Sequence, residues 1–376
     1  MYISDAEQLA TFCERASGSG ILAVDTEFIR ERTYHPQLCL IQVATADESA
    51  AIDPILIKDL SPLVALLGDS RIVKVFHACG QDLEVINDAM GLVPAPSFDT
   101  QLAAAFVGYR NQIGYGALVE ACCGVHLPKA DSLTDWSRRP LDAEQLRYAE
   151  DDVTYLPAVY ESLMAQLVER DRLSWLLPEM EDLTRPDRYE RNPREAYLHL
   201  RRAGSLTRKQ LAVARELCAW REGVAERRNL PRRWVLTDEV VLEACKRAPR
   251  TVDRLLRIRG TEQLGRAEAQ AAVDAIARGL EANPNSLPER RRHERPGAQT
   301  ESVLDLMYAL LRLVSERSGV ASQLIATRDD LLEFLNDPGS SSLSSGWRYD
   351  LLGCELERLL AGETGLTIKD GGIELL

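Results

Sequence analysis

The apolar positions of the first half fall in short blocks separated by polar turns. Residues Ile21 to Phe28 form one such block, ending in acids, as a buried strand does. Leu38 to Ala44, Ser49 to Ile52 and Ile72 to Phe76 predict three further strands. Ser61 to Leu67 predicts a helix with Ser61 as cap and Pro62 at its first position. Gln81 to Met90 predicts another, stopped by Gly91. Phe98 to Val107 and Leu141 to Val168 read as mostly helical. Three early strands followed by alternating strand and helix predict a mixed sheet flanked by helices.

From Thr207 the spacing becomes helical, with little strand signal. Leu211, Ala214, Leu217 and Trp220 share one apolar face, and Val303, Leu306, Leu310 and Leu313 another. Asn229-Leu230-Pro231 breaks the first helix, Thr237 or Asp238 caps the next, and Arg257 to Gly260 ends a later one. Pro178 to Arg194 reads as a linker or extended brace. Glu281 to Thr300, with Pro284, Pro288, Pro296 and the basic run Arg290-Arg291-Arg292-His293, reads as an exposed linker. Gly339 to Gly346 reads as a flexible insertion. The expected organisation is an α/β domain over residues 1–175 and two all-α domains over 206–285 and 301–376. Linkers cover 176–205 and 286–300, and the two helical stretches form a divergent repeat.

Composition narrows the class. The 376 residues are 45% hydrophobic and 27% charged, as in a soluble protein of two or three domains. No apolar run approaches the roughly 20 residues that span a bilayer, and the start lacks a secretory pattern, so a cytoplasmic location is expected. The eight cysteines form no C-x-x-C pair, and Cys122, Cys123 and His126 lack a second ligand pair, so zinc is not expected. The net charge of −13 taken alone argues against a nucleic-acid partner. Clustered carboxylates that hold divalent metals add acid where they work, and the candidate chemistry is of that kind.

Asp25 and Glu27 end the first strand. Residues i and i+2 share a strand face, so the two carboxylates project together with Thr26 opposite. They repel unless a cation lies between them, and hard divalent cations take such oxygen ligands. Asp82 follows the fourth strand near a helix start, where an acid also suits the helix dipole. Tyr148 and Asp152 are spaced i, i+4 and share a helix face, with Asp151 turned away. A tyrosine beside a metal-holding carboxylate can orient an attacking water and help remove its proton. Each element alone also fits a solvated strand end or an amphipathic helix.

Together these elements resemble the tyrosine-bearing DEDD exonucleases. Val24–Ala44 (VDTEFIRERTYHPQLCLIQVA), Val75–Ile86 (VFHACGQDLEVI), Asp99-Thr100-Gln101 and Thr134–Leu141 (TDWSRRPL) narrow the resemblance to the ribonuclease D family. The match runs through the first half, with the motifs in family order. It implies an RNase H-like (DnaQ-like) fold and a 3′→5′ exoribonuclease using two divalent ions, Mg²⁺ or Mn²⁺, spaced about 3.5–4 Å. Asp25, Glu27 and Asp152 would hold the ion that activates water, and Asp25 and Asp82 the ion near the leaving 3′ oxygen. Tyr148 would position or deprotonate the water, and nucleoside 5′-monophosphates would be released. Thr26, Phe28, Gln42, His77, Trp136 and Arg139 are candidate substrate contacts. Phe28 would stack on a terminal base or pack in the core, His77 lie near the 3′ end or be satisfied inside the fold, Gln42 face the site or the core, and Trp136 and Arg139 line the channel, with Trp136 equally a packing anchor.

Thr207 to Leu280 is similar to an HRDC domain, the helical module of RecQ-type helicases and ribonuclease D, and the stretch from Glu301 is a fainter match. Arg227, Arg228, Arg232, Arg233, Arg254, Arg257 and Arg259 are candidate phosphate contacts. The expectation is therefore a monomeric enzyme trimming structured RNA, such as tRNA precursors, with no membrane partner. The alternatives are a DNA 3′→5′ exonuclease and a catalytically inactive nucleic-acid-binding scaffold.

Overall fold

Six strands built from the short apolar blocks make one mixed sheet. The computed structural model describes residues 1–128, 134–283, 285, 288 and 296–376. The strands are β1 (Tyr2–Ile3), β2 (Ile21–Ile29), β3 (Gln37–Ala44), β4 (Ser49–Ile52), β5 (Val73–Phe76) and β6 (Ser97–Asp99), in the order β1-β4-β3-β2-β5-β6. β1 runs parallel to β4, β2 to β5 and β5 to β6, while β3 is antiparallel to β4. Every residue of β3 after Gln37 is buried, so this strand is covered on both faces. The helices are α1 (Ala6–Ala16), α2 (Ser61–Gly68), α3 (Gly80–Met90), α4 (Thr100–Phe106), α5 (Tyr115–Cys123), α6 (Ala143–Thr154), α7 (Leu156–Glu169) and α8 (Leu173–Leu183). Ala23, Ala44, Val75 and Phe98 of the sheet share a core with Leu118, Val153, Val159 and Leu163 of α5 to α7.

Residues 28–37 and 189–294 form a separate compact unit. Its helices are α9 (Arg208–Arg227), α10 (Arg232–Val235), α11 (Asp238–Arg247), α12 (Val252–Leu255) and α13 (Arg266–Leu280). Leu211, Leu217, Val241, Leu255 and Ile276 lie in a core of their own. Gly279 lets α13 touch α9, since a Cβ there would sit 2.4 Å from Val213 Cα. The buried Arg221 donates from Nη1 to the Leu236 carbonyl at 3.0 Å and to Asp238 at 2.9 Å, while its Nε is unpaired among the described residues.

The C-terminal segment joins the sheet domain in the other unit, which comprises residues 1–27, 38–188 and 295–376. It contains α14 (Ala298–Ser318), α15 (Ser322–Ile325), α16 (Arg328–Asn336), α17 (Gly346–Arg348), α18 (Cys354–Leu360) and a hairpin of β7 (Leu366–Lys369) and β8 (Gly372–Leu375). Leu304, Leu310 and Phe334 extend the core beneath the sheet. Trp347 stacks on Trp175 with ring centres 5.7 Å apart and meets the Phe106 edge at 5.1 Å. Its indole N–H donates to Glu179 at 3.0 Å, where Arg348 also pairs.

Several local expectations change. Ser61 is the first helical residue and Leu60 holds the cap position, while Asp59 accepts the Ser61 N–H at 2.9 Å. Phe98 belongs to β6, because Val75 pairs with it. Pro178 lies inside α8, where the buried Leu176 and Met180 hold the helix against its lost hydrogen bond. Gly339 to Gly346 is not a loose insertion, since Leu343 is fully buried and Ser341 nearly so. The hairpin breaks the all-helical expectation, its Asp370-Gly371 turn having φ of 52° and 81°. The helix begins at Ala298, inside the expected linker. The basic run Arg290 to His293 lies outside the described residues.

Candidate active site

Strand β2 carries the first two acids. Val24 and Thr26 are buried on one face, and the partly exposed Asp25 and Glu27 share the other. Helix α6 crosses this face. Its N-terminus is fixed by a capping box in which Asp142 accepts from the Gln145 N–H at 2.8 Å and Gln145 accepts from the Asp142 N–H at 3.0 Å. Ala149 and Val153 bury its inner side, which leaves Tyr148 and Asp152 toward the acids. Asp25, Glu27 and Asp152 each offer an oxygen within 4.8 Å of the others. Asp82, in the first turn of α3, is buried and accepts a 2.5 Å hydrogen bond from the Thr26 hydroxyl. Its charge is the strongest like-charge influence on Asp25.

Crowded acids in a recessed site hold their protons. Burial, then repulsion from Asp82, Asp152 and Glu27, pushes Asp25 well above the usual carboxylate range. Burial and the neighbouring acids raise Glu27 to about 8. Burial raises Asp152 to about 7 although the Tyr148 hydroxyl hydrogen-bonds to it. Burial raises Asp82 to about 6 against the Thr26 hydrogen bond. No Lys, Arg or His is among the leading influences on these four carboxylates. A divalent cation is the natural counter-charge, and the oxygen-only donor set suits a hard ion. Tyr148 is also pushed upward by burial and by Asp152, so its hydroxyl keeps its proton at neutral pH.

The candidate substrate contacts have diverse surroundings. Trp136 is buried, with its ring 6.0 Å from the Tyr148 ring and its indole N–H unpaired among the described residues. Arg139 is fully engaged. It pairs with the fully buried Asp53 and donates to the carbonyls of Trp136 at 2.8 Å, Arg138 at 2.8 Å and Cys39 at 2.7 Å. Asp53 also accepts from the Tyr2 hydroxyl and the Ile55 amide. Arg139 therefore ties the segment before α6 to β3 and to the turn after β4. Gln42 is fully buried with neither amide atom paired among the described residues. By alternation it shares a face with Ala44, whose methyl lies in the core under α6 and α7. His77 bonds Thr100 at 2.9 Å and the Ile113 carbonyl at 3.1 Å, and its burial lowers its pKa. Thr26 spends its hydroxyl on Asp82. Phe28 belongs to the other unit, its ring lying under the Arg30 guanidinium at 5.3 Å.

Tyr115 was not singled out from the sequence. Its hydroxyl donates to the Asp151 carbonyl at 3.0 Å, and Asp152 and Asp25 are among the charges that raise its pKa. It braces α6 at the site, and its flanking glycines, Gly114 and Gly116, carry no signal of that role.

Comparison with known proteins agrees with this geometry. Residues 1–168 match the 3′-5′ exonuclease family and residues 210–269 the HRDC domain. The chain is 40% identical to ribonuclease D of Nitrobacter hamburgensis over 378 residues, covering 99% of this chain and 98% of that one. It is likewise 40% identical to ribonuclease D of Sphingobium indicum, covering 99% and 97%. The crystal structure of Escherichia coli RNase D, an exoribonuclease involved in structured RNA processing, superposes with a TM-score of 0.85 at 32% identity, covering 96% of this chain and 98% of that one. The acid cluster and its helix thus sit in a fold that depends on divalent metal, and the chain belongs to the ribonuclease D family of 3′-5′ exoribonucleases.

Proposed function

We propose that Asp25, Glu27, Asp82 and Asp152 hold two divalent cations, Mg²⁺ or Mn²⁺, and that Tyr148 orients the attacking water. The substrate is the 3′ end of structured RNA such as a tRNA precursor. The observation that carries this reading is the meeting of three carboxylates within 4.8 Å beside a tyrosine one helical turn from the third acid. When bound, the ions offset charge on the scissile phosphate and the leaving oxygen and make water acidic enough to attack. Asp25 would serve both ions, since Asp82, Asp152 and Glu27 all act on its charge. Thr26 holds one Asp82 oxygen and so fixes the carboxylate's direction. The protonated Tyr148 hydroxyl donates to Asp152, which leaves its oxygen lone pairs to receive a water. With cations bound, Asp152 would be a carboxylate and would accept the Tyr148 hydrogen bond in that form.

Titration calorimetry with Mg²⁺ and Mn²⁺ tests the donor set without hydrolysis. Wild type is expected to bind with release of protons, because the metal displaces them from raised carboxylates. Asp25→Asn is expected to lose binding at both sites, and Asp82→Asn at one. Undiminished metal binding by Asp25→Asn would contradict the assignment.

A further inference from the structure

Charge is divided unevenly between the two units. Residues 28–37 and 189–294 carry 25 Lys and Arg against 16 Asp and Glu, whereas the remainder carries 20 against 42. The acidic total therefore conceals a basic helical unit, which is the electrostatic footprint of a polyanion partner.

Within that unit one turn stands out. Helix α9 ends at Arg227, the chain reverses through Asn229 at φ 45°, and α10 then presents Arg232, Arg233 and Trp234. All three are exposed, and Trp234 has 49% of its surface open. The other four tryptophans, 136, 175, 220 and 347, are buried or half-buried. Arg232 reaches Glu222 at 3.5 Å, while Arg233 makes no ion pair among the described residues.

The C-terminal helices repeat this turn and supply an internal control. Gly319 at φ 68° occupies the place of Asn229, and α15 that of α10. The Trp234 N–H donates to the Pro231 carbonyl at 2.8 Å, and the Leu324 N–H to Ala321 at 2.9 Å. Leu236 donates to Arg232 at 3.2 Å, and Ala326 to Ser322 at 3.0 Å. Val235 and Ile325 are the buried anchors. In the C-terminal copy, Ser322-Gln323-Leu324 replaces Arg-Arg-Trp, and Leu324 packs against the core beside the sheet. The backbone motif therefore does not require an exposed tryptophan or paired arginines.

We propose that Arg232-Arg233-Trp234 is an RNA contact in which the indole stacks on an unpaired base and Arg233 meets an adjoining phosphate. Base stacking on an exposed ring needs no sequence-specific hydrogen bond, so the contact suits a 3′-end trimmer that meets every base. This rests on the exoribonuclease reading only in taking RNA as the ligand.

The test is binding of a fluorescent 3′-tailed RNA to the full chain in chelator, so that no hydrolysis intervenes, for Trp234→Leu, Trp234→Phe and Arg233→Gln. Trp234→Leu is expected to weaken binding roughly tenfold, as loss of one stacked base does, and Trp234→Phe to retain most of the affinity. Arg233→Gln is expected to lower the salt slope by about one. Melting temperatures should not move, because the ring is exposed, and with metal restored KM should rise without loss of kcat. Trp234→Leu within twofold of wild type, or Leu and Phe equally weakened, would overturn the proposal while leaving the exoribonuclease reading intact. Trp234→Leu that binds RNA as wild type does but no longer shortens it also contradicts the stacking role. Failure of wild type to bind or shorten any RNA would instead sink both.

Discussion

Tyr148 and Asp152 share a helix face by spacing alone, and the structure turns that face toward Asp25 and Glu27. Removing the phenol oxygen leaves the acids and the fold in place. Tyr148→Phe should therefore lower kcat by about 10²–10⁴-fold, the usual range for a positioned proton-handling group, while metal binding persists. Metal binding lost together with turnover would show Tyr148 to be part of the donor set instead. The Trp136 ring lies beside Tyr148, at a ring separation of 6.0 Å. Trp136→Phe should slow turnover in the wild type and have little further effect in a Tyr148→Phe background. Full additivity of the two losses in steady-state kinetics would refute that dependence. The meeting of Asp25, Glu27 and Asp152 was legible in outline, from an i, i+2 pair of acids on a strand and a Tyr-x-x-x-Asp spacing on a helix. The partners of Arg139 and His77, Asp53 and the Ile113 carbonyl, were not legible because they come from segments distant in sequence.

The same acids make metal-free stability depend on pH. Their folded pKa values lie above the unfolded ones, so their favourable contribution is complete below about pH 4. It is lost as pH rises through about 6 for Asp82, 7 for Asp152 and 8 for Glu27. The melting temperature in chelator should fall across this window, and the rise on adding Mg²⁺ should grow with pH. A magnesium effect that is flat from pH 5 to pH 8 would show that protons and metal do not compete for one site.

At the scale of elements, long periodic segments were read well and irregular ones were not. α3 and its Gly91 stop, α6, α7 and the break at Asn229 follow from spacing and turn residues. β1 and α1 went unread, the first because only two residues pair with β4. α8 was hidden by Pro178, and the segment around Leu343 by its serines, since burial against distant helices decides both. Gly353 is the hinge of that last packing: a Cβ there would lie 2.0 Å from the Leu343 carbonyl oxygen. Gly353→Ala should destabilise by roughly 1–3 kcal/mol, as overpacking does, and chemical denaturation would register it. An unchanged midpoint would mean that this segment yields freely.

For the whole molecule, sequence spacing suggested three domains in a row, whereas the chain folds as two units with residues 295–376 joined to the sheet. The apolar face of α14 announced a helix, but not that its partner would be the core holding Phe106 and Trp175. Net charge misled for a related reason: it sums a basic unit with an acidic one. We propose that the helical unit residues 189–294 act as the RNA-gripping part and the sheet domain as the cutter.

The most direct measurement follows a 5′-labelled, 3′-tailed tRNA precursor on sequencing gels with Mg²⁺, comparing wild type with Asp152→Asn and including single-stranded DNA. Wild type is expected to give metal-dependent, one-nucleotide steps from the 3′ end with release of nucleoside 5′-monophosphates, and Asp152→Asn no shortening. Equal shortening by Asp152→Asn, or shortening of wild-type reactions undiminished by chelator, would contradict a carboxylate-held metal centre as the seat of hydrolysis.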